Sequence, residues 1–66
     1  AADEETLLQL LCDREWWVRY RAAESLAQTN DPARMMERAE QTGDRFALEM
    51  MRFALERRQL MRGEAA

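Results

Sequence analysis

Helix-breaking residues are almost absent from this chain, which has only 2 glycines and 1 proline among its 66 residues. Residues branched at the β-carbon, which favour strands over helices, are also scarce. A sequence with so few breaks predicts helices joined by short turns. We therefore expect an all-α fold of four helices, arranged as two stacked antiparallel helical hairpins.

The length of the chain allows one small domain, residues 1–66. Below about 70–80 residues, a single hydrophobic core rarely contributes more than about 3–5 kcal/mol of stability. The chain also begins at Ala1 rather than at a methionine. We therefore expect a segment of a longer protein that depends on contacts outside itself. Those contacts would be with preceding parts of the parent chain or with a second copy in a homodimer.

Charge and the rarer residue types argue against several classes of function. The 10 basic residues, all of them arginine, face 13 acidic residues, for a net charge of -3, which does not favour binding to nucleic acid or to an anionic membrane. The chain has no histidine and a single cysteine. It therefore lacks the usual general base, most metal sites and any disulfide of its own. We predict no enzymatic activity, no catalytic residues, no bound metal and no cofactor.

No apolar run approaches the roughly 20 residues that a membrane-spanning helix needs, and no signal-peptide pattern is present. We expect this segment to make no membrane contact and to be cytoplasmic. Any membrane anchor of the parent protein would lie outside it.

The first half of the chain has the pattern of two short helices. The first is predicted from Asp3 to Leu11, with leucines on its apolar face: Leu7, Leu8, Leu10 and Leu11. Asp13 then has the position of an N-cap, whose carboxylate accepts hydrogen bonds from the free amides of the next turn. The second helix is predicted from this cap to about Gln28.

Two adjacent apolar stripes run along the second helix. One stripe consists of Val18, Ala22 and Leu26. The other consists of Trp16, Tyr20, Ala23 and Ala27. Because the two stripes are neighbours, we expect this helix to pack on two sides.

The clearest break in the chain lies at Asp31 and Pro32. Asp31 is the predicted N-cap of a third helix, and a proline at the first helical position loses no hydrogen bond. This helix is predicted from Pro32 to Gln41, and Gly43 is expected to follow it in the left-handed conformation. Its predicted inward residues are Met35, Met36 and Ala39.

Asp44 is the predicted N-cap of the last helix, from Arg45 to Met61. The apolar residues that recur near the helical period are Phe46, Met50, Phe53, Ala54, Leu60 and Met61. On the outer face, Arg45 and Arg52 each precede a glutamate by four residues, a spacing at which ion pairs contribute a few tenths of a kcal/mol each. These partners are Glu49 and Glu56.

One spaced motif runs through the first half of the chain: Leu7-Leu8-x-x-Leu11 followed by Asp13-x-x-x-x-Val18-Arg19-x-x-Ala22-x-x-x-Leu26. This motif resembles a HEAT repeat of the short bacterial kind. Superposing the two halves places Leu7 on Met35 and Val18 on Phe46, so a two-helix unit recurs, as in an α-solenoid. The resemblance implies one repeat at residues 3–28 and a degenerate, capping terminal repeat at residues 31–62.

In the HEAT family, the aspartate and arginine of this motif lie on the inner side of the superhelix and connect neighbouring repeats. The resemblance therefore implies that Asp13 caps the second helix and that Arg19 bridges to the next repeat, with Asp44 as its expected counterpart. It implies a non-catalytic scaffold for protein–protein interaction, with an unidentified protein partner. The residues alone also allow a small helical dimerisation bundle.

Trp16, Trp17 and Tyr20 are the candidate interaction surface, because they combine aromatic rings with nearby arginines. Such a composition is also found where proteins stack on bases, and some HEAT-like proteins bind DNA. A nucleic-acid-binding HEAT-like module is therefore an alternative, which the net negative charge disfavours.

Overall fold

Four helices and no strand make up residues 3–63, the part of the chain that the computed structural model describes. The helices are α1 (Glu4–Leu11), α2 (Trp16–Leu26), α3 (Pro32–Gln41) and α4 (Arg45–Gly63). The all-α prediction is confirmed for these residues. The radius of gyration over Cα atoms is 11.2 Å, close to the value of about 11 Å expected for a compact domain of this length.

Aspartates precede three of the helices and accept hydrogen bonds from amides of the first turn. Asp31 Oδ1 lies 3.1 Å from an amide nitrogen of α3, and Asp44 Oδ1 lies 2.9 and 3.1 Å from two amide nitrogens of α4. Asp3 accepts such a bond at 2.8 Å, and this hydrogen bond lowers the pKa of its carboxyl group. Gly43 follows α3 with a φ of 77°, in the left-handed region.

The start of α2 differs from the prediction, because Asp13 does not cap it. The residue before the helix is Glu15, whose side chain makes no capping hydrogen bond. Asp13 Oδ1 instead accepts from the Glu15 amide at 2.9 Å, in a turn ahead of the helix. The Asp13 carbonyl accepts from Arg19 Nε, and the first helical bonds of α2 go to the Glu15 carbonyl. Asp13 therefore shapes the turn rather than the helix terminus.

Within the described part of the chain, alanines occupy six of the eleven buried positions of the core. Helix α1 packs on α2, α3 packs on α4, and α2 contacts α4. Leu11 and Met51 are the largest fully buried side chains, and most other buried positions are alanines. These alanines are Ala22, Ala23, Ala27, Ala39, Ala47 and Ala54. Since the distance between packed helices depends on the side chains at their contact, alanines allow close approach.

Helix α4 presents a different face to the core from the predicted one. Ala47, Met51 and Ala54 are buried. Several residues of the apolar stripe predicted for this helix are exposed instead: Phe46, Phe53, Leu60 and Met61. The physical reason is volume, because an interior lined by alanines leaves no room for a phenylalanine ring between the helices. The alanine-bearing face of α4 therefore turns inward and its aromatic face turns out.

Ion pairs connect α1 to α3. Arg34 forms a two-pronged hydrogen bond with the Glu4 carboxylate, at 3.2 and 2.9 Å. Arg38 Nη1 lies 2.8 Å from Glu4 Oε2, and Arg38 Nη2 lies 2.5 Å from Glu5 Oε2. The hydrogen bond from Arg34 lowers the pKa of Glu4 and, reciprocally, raises the pKa of Arg34. Ion pairs therefore link the beginning of α1 to Arg34 and Arg38 of α3.

Replacing Met51 by alanine tests the orientation of α4. Met51→Ala should lower the free energy of unfolding by about 2–5 kcal/mol, as expected for a buried methionine. Phe46→Ala should lower it far less, because this ring is 70% exposed. Urea denaturation followed by circular dichroism measures both variants. A large loss of unfolding free energy for Phe46→Ala, with a small loss for Met51→Ala, would contradict this orientation of α4.

The free energy of unfolding should fall as the pH is lowered from about 5 to 3. The pKa of Glu4 is lower in the folded chain than in the unfolded chain, so its contribution is present above the unfolded pKa and is lost as the pH falls through the folded pKa. Thermal melts across this range, repeated with Glu4→Gln, measure the effect. The variant should show a shallower decline, with the part due to Asp3 retained. Equal declines would show that the ion pairs with Glu4 contribute nothing.

Candidate functional site

A groove lined by aromatic side chains lies between the beginning of α2 and the first half of α4. Its volume is about 380 Å³, and it is lined by Arg14, Trp16, Arg19, Phe46, Glu49, Met50 and Phe53. The exposed fractions of Trp16, Phe46 and Phe53 are 70%, 70% and 52%. Large apolar side chains that are exposed together typically mark an interaction site. We call this feature the aromatic groove.

Arg19 holds the two helices together at one end of the aromatic groove. Its Nη1 lies 3.6 Å from Asp44 Oδ1, an ion pair too long to be a hydrogen bond. Its Nε donates to the Asp13 carbonyl, and its guanidinium carbon lies 5.6 Å from the centre of the Phe46 ring. A cation at this distance from an aromatic face is attracted to it. Arg19 therefore links α2 to the first turn of α4 and supports one wall of the groove.

The three residues of the predicted interaction surface have different environments. Trp16 lines the aromatic groove. Tyr20 is partly buried, and its hydroxyl oxygen accepts a hydrogen bond from Arg57 Nη1 at 2.8 Å. Trp17 is 55% exposed. Of the three, Trp16 is the residue that the structure places beside the exposed phenylalanines of α4.

Sequence reasoning missed Phe46, Met50 and Phe53 as members of the site, because it grouped them with Ala54 in a single apolar stripe of the last helix. The signal that could have identified them is the second stripe of α4, formed by Ala47, Met51 and Ala54. Helix α2 also has two adjacent alanines, Ala22 and Ala23, and Ala27 follows it. Two alanine-bearing faces are suited to pack closely against each other, which leaves the phenylalanines outside.

A second, more polar cleft lies between the last turn of α2 and the second half of α4. Its volume is about 450 Å³, and Arg21, Glu24, Arg57 and Arg58 are among the residues that line it. Guanidinium groups predominate there, and Arg57 is engaged with the Tyr20 hydroxyl. This cleft therefore offers more hydrogen-bond donors than the aromatic groove does.

Among the described residues, no group of three or more histidine, cysteine, aspartate or glutamate side chains could hold a metal ion. Within residues 3–63, no helix combines the length and the apolar character needed to cross a membrane.

Asp44 should stabilise the site in two ways, which a pair of substitutions can separate. Asp44→Ala removes the cap of α4 and the ion pair with Arg19, and should lower the free energy of unfolding by about 1–2 kcal/mol. Asp44→Asn keeps an oxygen that accepts the capping hydrogen bonds, so it should recover most of this loss. The remaining deficit, about 0.2–1 kcal/mol, reports the ion pair. Urea denaturation measures both, and an asparagine variant as unstable as the alanine variant would contradict the capping role.

Comparison of the chain with protein-family models, with curated proteins and with solved structures finds no match in any of the three. The resemblance of the Asp13-x-x-x-x-Val18-Arg19 motif to a HEAT repeat therefore stays a prediction.

Proposed function

We propose that this chain is a non-catalytic protein–protein interaction module that binds a partner protein through the aromatic groove. The observation that carries the proposal is the exposure of Trp16, Phe46 and Phe53 in one groove. Fully burying a side chain of this size contributes about 1.5–3 kcal/mol. A partner that covered the three rings would therefore gain substantially from apolar burial alone.

An amphipathic helix is the kind of partner segment that suits this groove. The groove lies between two helices, and such a groove can receive the apolar face of a third helix. Met50 lies among the rings, and its flexible side chain can adjust to different apolar anchors. Arg14 and Glu49 add one positive and one negative group to the lining, and these would orient a partner helix through its own charges.

We further propose that the chain is the terminal part of a HEAT-like α-solenoid. Contacts between α1 and α2 and between α3 and α4 fit two helical hairpins, and the contact of α2 with α4 fits their stacking. The ion pairs of Glu4 and Glu5 with arginines of α3 would then join the first helices of the two hairpins. The approach of Arg19 to Asp44 fits a bridge between repeats.

Selection from a displayed library of helical peptides, with the native chain as bait, tests the proposed binding site. Selected peptides should carry apolar residues at i, i+3 or i+4, and i+7, and should bind at least about tenfold more weakly when Phe46→Ser and Phe53→Ser are combined. Leu60→Ser is the matched control, because Leu60 is an exposed apolar residue of α4 outside the groove lining.

The control should bind the selected peptides as the native chain does. Equal binding to the doubly substituted chain, or selection of peptides without an apolar face, would show that the groove is not the binding site.

A further inference from the structure

The outer face of α4 has charges that alternate in sign along the helix. The four residues are Arg45, Glu49, Arg52 and Glu56. Their spacings of four, three and four residues place them on one side of the helix, next to Phe46 and Phe53. All of them are exposed. We call these four residues the charged stripe.

The charged stripe has no intramolecular partners in the described part of the chain. The ion pairs found among residues 3–61, whose side chains the structure describes, involve α1, α2, α3 and Asp44, and none includes a member of the stripe. The pairs predicted from the spacing, Arg45 with Glu49 and Arg52 with Glu56, are thus not formed. Four charged residues of α1 and α3, in contrast, form ion pairs with each other: Glu4, Glu5, Arg34 and Arg38. No side chain among the described residues occupies the charges of the stripe, which leaves them available to another molecule.

We propose that a second copy of this chain docks on this face, with the two α4 helices antiparallel across a two-fold axis. The proposal rests on the proposed role of the aromatic groove as a docking site and names its occupant. In this arrangement, Arg45 faces Glu56 of the partner subunit, and Glu49 faces Arg52 of the partner subunit. The two-fold axis generates each pair twice, as in any interface between identical surfaces.

A single axial alignment of the two antiparallel α4 helices allows both kinds of ion pair to form. Arg45 and Glu56 are equidistant from a point between Met50 and Met51, and so are Glu49 and Arg52. The alternation of sign is therefore reversed when the helix is reversed, which makes the charged stripe complementary to itself. A stripe of one sign, or one ordered as basic, acidic, acidic and basic, would place like charges opposite each other and repel its copy.

The aromatic side of α4 fits the same register. A two-fold axis between antiparallel helices places the charged stripe against its copy and the aromatic side against its copy. Phe46 then approaches Phe53 of the partner subunit with an axial offset of about 3 Å, two residues at about 1.5 Å each, which a phenylalanine side chain can span. The partner's ring would enter the aromatic groove next to Trp16.

The surface area that the two copies can bury against each other limits the strength of this association. Helix α4 is 19 residues long, or about 28 Å at 1.5 Å per residue. One face of such a helix, with Trp16, gives an interface at the small end of the range for specific complexes. We expect a dissociation constant in the micromolar range or weaker, and dissociation when salt screens the exposed pairs.

Reversing the charges of the stripe tests the proposal. The combination of Glu49→Arg and Glu56→Arg makes the stripe wholly positive, and the combination of Arg45→Glu and Arg52→Glu makes it wholly negative. Sedimentation equilibrium over a concentration series should show dimers for the native chain and monomers for each reversed chain. An equimolar mixture of the two reversed chains should form dimers again, and circular dichroism would verify that each is helical. Dimers of either reversed chain alone, or a mixture that stays monomeric, would overturn the proposal.

The outcome separates this proposal from the proposed function. A native chain that stays monomeric to about 1 mM overturns the self-docking, while the peptide selection still reports whether the groove binds other proteins. A native dimer that dissociates on charge reversal supports the self-docking even if no helical peptide is selected. In the second case, the groove serves only the dimer.

Discussion

The alanines in the core constrain the rest of this molecule. Helix α2 contributes Ala22 and Ala23 to the buried core and is followed by the buried Ala27, while α4 contributes Ala47 and Ala54, and the two helices contact each other. Protein interiors are packed without voids that could hold an additional aromatic ring. The aromatic residues of α2 and α4 are therefore displaced to the surface. The small volume of the core between α2 and α4 and the exposure of their aromatic side chains thus have one cause, which is the small size of the residues between the two helices.

Helix caps and ion pairs contribute a larger share of the folding stability when the apolar core is this small. Helix caps at Asp3, Asp31 and Asp44 satisfy amides that would otherwise have only water as partners. The ion pairs between α1 and α3 and the side chain of Arg19 connect segments that are distant in sequence. Exposed ion pairs contribute little individually. Because the whole chain has only a few kcal/mol of stability to expect from its core, even such contributions matter.

The parts of the fold that could be predicted from the sequence depend on local chemistry. The bounds of α3, Pro32–Gln41, were predicted as found, because an N-cap, a proline and Gly43 define them. The orientation of α4 was not predicted correctly. The helix has two apolar stripes whose side chains differ in size, and only the packing against α2 determines which stripe is buried. The beginning of α2 was missed for a similar reason. Arg19, six residues away, binds the Asp13 carbonyl and so contributes to the turn.

The composition of α4 bears on whether its outer face meets water or protein. In the proposed solenoid, a capping repeat would need a polar outer face to remain soluble. Helix α4 instead combines two exposed phenylalanines with charges that lack intramolecular partners among the described residues. Any partner that binds this face in the folded chain, but not in the unfolded chain, adds its binding free energy to the stability of the fold. For a chain with an alanine-rich core, association and folding are therefore expected to be coupled, and the exposed aromatic groups would contribute to stability through the partner.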